Sequence, residues 1–456
     1  MAIFSRRTLQ RLIEENDAFL SKAQTRKFVQ HLNGVSTELT LAYEWEVVLL
    51  NALSKVGKVM YERNFGGSKR VDIYFETLEN SNNNFVADIT AVSDKGLNAN
   101  NPYDSLRSRL NEIVKKSGLR ANSFNLQVGR HAGSIYKGGG KVKLKIPGSS
   151  RFAKVIFNES FQTFIREIIQ NPNISHSHAI KTAEADVIVS YNPNQKFALG
   201  EHPSYTVVNS LTENTIYQAL DRKISQLKGS NFQGPHGIIL CDGGCNFFNS
   251  RPTAGLSYSI DEVIKHFCIH NEDIIDFVLT VSVGRKEQSF PIPPQNIPYV
   301  PLIKLYIGRK LDQIGFNTQR FLKHIKKSFP RPESDPSNAL NFLKGEKPNL
   351  GRSKWGGMEL RDEKMGFKVK VSGRAILELL AGEVDQKTFY EHHGFVPSGL
   401  HPGQPLNPFK TALSKGYLIR GVSLNKSVPD DDDWIEFELN GPDPAISPFV
   451  IPDAKK

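Results

Sequence analysis

Cysteine is scarce, with three in 456 residues. Three thiols cannot all pair, and their spacing makes no disulfide framework. A disulfide-stapled secreted fold is therefore excluded and a reducing compartment is expected. No stretch approaches the ~18 consecutive apolar residues of a membrane helix. The opening residues, MAIFSRRTLQRLIEEN, hold no apolar run of signal-peptide length, so the expected location is cytoplasmic. GGGKVKLK at 138–145 lacks the G-K-[ST] ending of a P-loop, which removes a nucleoside triphosphate site. No internal repeat is visible.

The remaining composition supports folded, polyanion-facing domains. Apolar residues make up 39% of the chain and include 28 Phe, enough for sizeable cores and too many for a disordered chain. Lys and Arg number 58 against 47 Asp and Glu, a net charge of +11. Such a surface attracts polyanions through counterion release, which makes nucleic acid the leading partner class. At roughly 100–200 residues per domain, the length suggests two to four domains.

Apolar spacing predicts amphipathic helices within 5–33, from Leu9, Leu12, Ile13, Phe19, Leu20, Phe28 and Leu32. A stronger helix is expected over 35–56, closed by Gly57. Three strand-like runs follow at 58–65, 69–76 and 84–92. Gly66–Gly67–Ser68 and Asn80–Ser81–Asn82–Asn83 punctuate them. Further helices are expected at 103–117, 158–170, 213–228 and 260–269, with strands at 185–191, 204–210, 236–243 and 276–284. The glycine-rich, basic stretch 133–150 reads as an exposed hairpin or loop. These elements give an N-terminal helical extension (1–34), an α/β core with insertions (35–290), a proline-marked linker or helical connection (291–344) and a small α+β module (345–456).

Three carboxylates stand at informative places. Glu46 lies on helix 35–56, Asp72 in mid-strand after a glycine turn, and Asp88 inside the apolar strand VADITAV. A lone buried aspartate is costly and needs a partner, a proton or a cation. Two aspartates on adjacent strands, with a helical glutamate over the same sheet edge, would offer Mg²⁺ its hard oxygen ligands. The competing structural role is an ion pair with Arg63, Lys69 or Arg70.

With these residues in view, positions 44–95 resemble the core of the PD-(D/E)XK nuclease superfamily, closest in motif to archaeal Holliday-junction resolvases. The likeness runs through Glu46 before Gly57, through Gly66–Gly67–Ser68–Lys69–Arg70–Val71–Asp72, and through Asp88–Ile89–Thr90, where Thr90 stands in place of the family's lysine. The resemblance implies a restriction-endonuclease-like mixed sheet flanked by helices. It further implies that Glu46, Asp72 and Asp88 hold Mg²⁺ or Mn²⁺ for phosphodiester hydrolysis. Lys223, on helix 213–228 and sharing a face with Gln226, is the candidate for the missing lysine.

Lys69, Arg70, Lys141, Lys143 and Lys145 are the candidate nucleic-acid contacts. The last three alternate with apolar residues, which puts one basic face on an extended segment. An edge strand kept soluble by lysines would look the same. Cys241, Cys245, His266, Cys268 and His270 could ligate zinc, but apolar surroundings favour plain buried thiols. His176, His178, His392 and His393 read as surface or turn residues, and Asp430–Asp433 as solvated acid. The expectation is thus an endonuclease acting on DNA, suited to bacterial or phage defence. Its C-terminal module would serve targeting, protein partners or self-association. The alternative is a catalytically degenerate nuclease fold that binds nucleic acid or protein.

Overall fold

The computed structural model describes residues 3–33, 37–77, 84–131, 137–138, 141–195, 197–248, 257–285, 299–308, 317–343, 356–360, 367–386, 389–390, 393, 395, 407–426 and 433–442. Its centre is a six-stranded mixed sheet. The strands are β1 (Gly57–Arg63), β2 (Val71–Thr77), β3 (Asn84–Val92), β8 (His236–Asp242), β9 (Phe277–Arg285) and β10 (Tyr299–Ile307), side by side in that order. β1, β2 and β3 form an antiparallel meander, β3, β8 and β9 run parallel, and β10 returns antiparallel.

The two faces of this sheet carry separate apolar layers. On one, α1 (Arg6–Asn16), α2 (Lys22–Leu32) and α3 (Thr37–Ser54) pack with the helices Thr318–Ser328 and Pro336–Leu343 over Ile73, Phe75, Phe85 and Ile89. On the other, α8 (Thr215–Leu227) and α9 (Ile260–His270) cover Tyr74, Val86, Ile238 and Leu240. β2 and β3 alternate accordingly, and Asp72 and Asp88 fall at the residues that face α8. The N-terminal helices belong to the first layer. Glu44 on α3 is fully buried, and its Oε2 accepts from the amides of Ile3 and Phe4 at 3.0 and 3.3 Å.

Between β3 and β8 the chain runs through α4 (Lys95–Asn100) and builds a second layer of its own. β4 (Phe124–Val128), β5 (His176–Lys181), β6 (Asp186–Tyr191) and β7 (Gly200–Glu201) form a sheet in the order β5-β6-β4-β7. α5 (Tyr103–Lys116), α6 (Phe152–Val155) and α7 (Glu159–Gln170) contribute to its apolar core. Near the C-terminus, β11 (Gly356–Leu360), β12 (Phe367–Ser372), β13 (Tyr417–Lys426) and β14 (Asp433–Pro442) make a third sheet, packed on helix Gly373–Leu380 around Val369, Val371 and Ala375.

Several expectations change. Residues 204–210 form no strand; Val208 and Asn209 are buried, and their carbonyls accept from the amides of Tyr258 and Gly138 at 2.7 and 2.8 Å. Pro301, expected in a linker, lies inside β10 opposite Val283. An outermost strand tolerates proline because half its backbone groups need no ladder partner. The core sheet therefore extends past the boundary at 290. His176 and His178 sit in β5, and His178 stacks on Phe164 with centroids 5.4 Å apart. His393 is buried and its Nδ1 lies 2.7 Å from the Phe389 carbonyl. His392 and Asp430 to Asp432 lie outside the described residues, whereas Asp433 pairs with Arg7 at 2.9 Å. In the basic stretch 133–150, residues 133–136, 139 and 140 lie outside the described residues; Val142, Leu144 and Ile146 are buried between Lys141, Lys143 and Lys145, Leu144 bridges to Arg130 beside β4, and the Lys145 amide donates to the Gly129 carbonyl at 2.9 Å.

Candidate active site

The site is a fork between β2 and β3. Their ladder pairs Glu76 with Asn84, Phe75 with Phe85, Tyr74 with Val86 and Ile73 with Ala87, and it goes no further. One step on, the two aspartates face each other, and side chains replace the ladder. The Asp72 amide donates to Asp88 Oδ1 at 3.0 Å, and the Ile89 amide donates to Asp72 Oδ2 at 2.8 Å. Each carboxylate thus satisfies the backbone of the opposite strand, which holds the fork open without orphaned amides.

Lys223 reaches this fork from α8. Its Nζ lies 3.1 Å from Asp72 Oδ2, with the two side chains only 17% and 23% exposed. The glycine turn explains how α8 is held there. Gly66 has φ +81°, and at Gly67 a Cβ would lie 2.0 Å from the carbonyl oxygen of Gly229, just past the end of α8. Only glycine permits that approach. The Lys69 amide also points to the Gly229 carbonyl, at 3.4 Å.

Asp88 is fully buried, and its Oδ2 has no hydrogen-bond partner. Burial, then the charge of Asp72, pushes its carboxyl up to about 6, while Lys223, the Asp72 amide and Lys69 pull the other way. Glu46 is pushed up to about 7, by burial first and by Asp72 second. Opposing this are the Tyr61 hydroxyl, which donates to Glu46 Oε2 at 2.8 Å, and the charges of Lys27 and Lys223. The three carboxylates and Lys223 therefore share one electrostatic neighbourhood.

Thr90 sits two residues beyond Asp88, on the same strand face, half-buried and paired with Leu240 of β8. Lys69 and Arg70 are exposed in the turn that enters β2. Lys141 and Lys143 are exposed and Lys145 half-buried on the inserted layer, and no contact among the described residues ties these three to the carboxylates. Sequence reasoning expected a helix over α2 but gave it no part in the site. Gln24 Nε2 donates to the Tyr61 carbonyl at 3.2 Å, and Lys27 pairs with Glu62 at 2.7 Å, where Glu62 adopts φ +53°. A non-glycine residue in that region costs energy and persists only when its surroundings hold it. Here α2 grips the end of β1 that aims Tyr61 at Glu46. No local sequence signal marks a contact between residues so far apart.

Among the described residues, no group of three or more His, Cys, Asp or Glu side chains is placed to hold a metal ion. Asp72 Oδ2 is turned to Ile89 and Lys223, and Glu46 to Tyr61. The cysteine and histidine set is likewise not gathered for zinc. Cys241 and Cys245 are buried and their thiols are pushed well up by burial, while Cys268 is pushed up to about 12. The rings of His266 and His270 lie against each other tilted by 45°, with centroids 3.9 Å apart.

No protein-family model and no curated protein matches this chain.

Proposed function

We propose that the chain is a divalent-metal-dependent endonuclease of restriction-endonuclease-like fold that hydrolyses phosphodiester bonds, with DNA as substrate. The observation that carries this reading is Lys223, which meets Asp72 at 3.1 Å at the fork where Asp88 keeps a buried oxygen without a partner. The motif that Thr90 interrupts is thereby supplied with a cation from another element.

The donor set is all oxygen, the kind a hard cation takes, although the three side chains are not gathered around one point in this structure. Asp88 Oδ2 is an orphaned buried acceptor, and the charge of Asp72 acts on both Asp88 and Glu46. Asp72, Asp88 and Glu46 would hold Mg²⁺ or Mn²⁺, which when bound lowers the pKa of water and offsets charge on the phosphate. Lys223 would orient the attacking water or stabilise charge on the phosphoryl oxygens. Lys69 and Arg70 at the mouth of the fork, and Lys141, Lys143 and Lys145 further off, would contact the phosphate backbone. A cytoplasmic role in defence against phage or foreign DNA, with the C-terminal module engaging a partner or a second copy, completes the proposal.

A second reading, a non-catalytic nucleic-acid or protein binder, is favoured by one observation: Asp72 Oδ2 is already engaged by Lys223 and the Ile89 amide. Incubating plasmid with the chain and Mg²⁺ or Mn²⁺ decides between them. The nuclease reading expects cleavage that falls by about 10³-fold or more in Asp72→Ala and Asp88→Ala, in line with the loss of several kcal/mol of metal-borne stabilisation. Binding without cleavage under either metal supports the second reading.

A further inference from the structure

Helix Thr318–Ser328 (TQRFLKHIKKS) carries its charge on one side. Its inner side is fixed in the main core. Phe321 meets Phe75 and Phe85 edge-on, with centroids 5.6 and 6.0 Å apart, and Ile325 is fully buried. The helix packs against α3, which carries Glu46, and against β10. Its outer side shows Arg320, Lys323, His324, Lys326 and Lys327, all exposed, and Arg331 follows just beyond the end. The helix contains no acidic residue.

Helical spacing turns this into a stripe. Arg320, Lys323, His324 and Lys327 recur at i, i+3, i+4 and i+7, opposite Phe321 and Ile325. Lys323, Lys326 and Lys327 have no acidic partner among the described residues, although exposed lysines elsewhere pair, such as Lys55 with Glu15 at 2.6 Å. A helix C-terminus attracts cations in its last turn, which accounts for Lys326 and Lys327. It does not account for Lys323, in the middle of the helix.

We propose that this helix face is a docking surface for the phosphate backbone of nucleic acid; the proposal deepens the nuclease reading and rests on it. Unpaired lysines on a rigid helix, in a chain of net charge +11, complement a polyanion. The apolar side is consumed by the protein core, so the helix has no face left to insert into a lipid surface. Held on the α3 side of the sheet, the stripe would grip substrate away from the fork and extend the footprint beyond the cut phosphodiester.

The test is fluorescence anisotropy of a labelled DNA duplex with the full chain in EDTA, across a salt series. Lys323→Gln/Lys326→Gln/Lys327→Gln is compared with wild type and with Lys115→Gln/Lys116→Gln/Lys154→Gln, which removes equal charge from exposed positions on the inserted layer. Circular dichroism confirms that each variant is folded. The expected result is a salt slope smaller by about 2–3 in the helix variant, at about 0.9 for each phosphate no longer neutralised, with little change in the control. An unchanged slope, an equal decrease in both variants, or binding to phosphatidylserine vesicles without binding to duplex overturns the proposal. Cleavage with Mg²⁺ is scored separately. A reduced slope without cleavage by wild type sinks the nuclease reading and leaves this surface standing; cleavage with an unchanged slope does the reverse.

Discussion

Two sets of buried acids lie close to the same pair of strands and spend their oxygens differently. At the β2–β3 fork, Asp72 and Asp88 bond across the opening, Lys223 reaches in, and Asp88 Oδ2 is left over. At the far end of β3 and β8, Asp242, Asp94 and Asp335 are also buried. There the oxygens shape loops. Asp242 Oδ1 accepts the amides of Gly244 and Cys245 at 2.9 and 3.0 Å, and Asp94 Oδ2 accepts the Asn246 amide at 2.8 Å. Asp335 accepts the Asn338 amide and the Tyr299 hydroxyl. Burial pushes Asp242 up to about 7, as it does Glu46. A raised pKa is therefore no signature of chemistry in this protein. What separates the two sets is a lysine and an oxygen with nothing to bind.

The comparison can be broken first at Lys223. Lys223→Met is expected to lower the metal-dependent cleavage rate by about 10²–10³-fold, the usual cost of one aimed charge-stabilising group. Adding Thr90→Lys to that variant should recover part of the rate, since position 90 lies on the same strand face as Asp88. Equal rates in wild type and Lys223→Met would reduce the Asp72 pair to a structural one.

Asp242 sharpens the contrast from the other side. Asp242→Ala strands two buried amides and should cost about 2–6 kcal/mol in denaturant unfolding, at about 1–3 kcal/mol per unsatisfied group. The folded fraction should cleave at the wild-type rate. A selective loss of rate with stability intact would move the active site to this end of the sheet.

The smallest effect is in pH. Glu46 has a folded pKa of about 7 against an ordinary 4.5, so between those values the folded state holds a proton that the unfolded state has lost. Stability without divalent metal therefore falls as pH rises through that window, by up to about 1.4 kcal/mol per pH unit for one such group. Asp88 and Asp242 act in the same direction. Glu46→Gln should flatten the melting-temperature profile between pH 5 and 7, and a profile of unchanged slope would mean that Glu46 is not the strained acid.

Much of the fork was legible in the sequence, because local chemistry marks it. An aspartate inside FVADITAV is conspicuous, a Gly-Gly-Ser turn precedes Asp72, and a strong apolar helix carries Glu46, although it ends at Ser54 and Gly57 opens β1 instead. Lys223 was legible as one face of an amphipathic helix, and that face meets Asp72. Of the inserted sheet, β6 was legible as the run expected at 185–191, whereas β4 is five residues long and β5 reads HSHAIK, with half of its residues exposed. β10 was hidden by its proline, and the residues expected as a strand at 204–210 have the right composition but form no ladder among the described residues. Tyr61, Lys27 and the Asp242 loop depend on contacts that no spacing rule encodes.

The most direct measurement is Mn²⁺ binding by isothermal titration calorimetry at neutral pH, with wild type, Asp88→Asn and Asp242→Asn side by side. The account predicts binding by wild type and Asp242→Asn and none by Asp88→Asn, because of these two aspartates Asp88 is the one with an unspent buried oxygen. Binding that survives Asp88→Asn, or that disappears in Asp242→Asn while the fold persists, would contradict it.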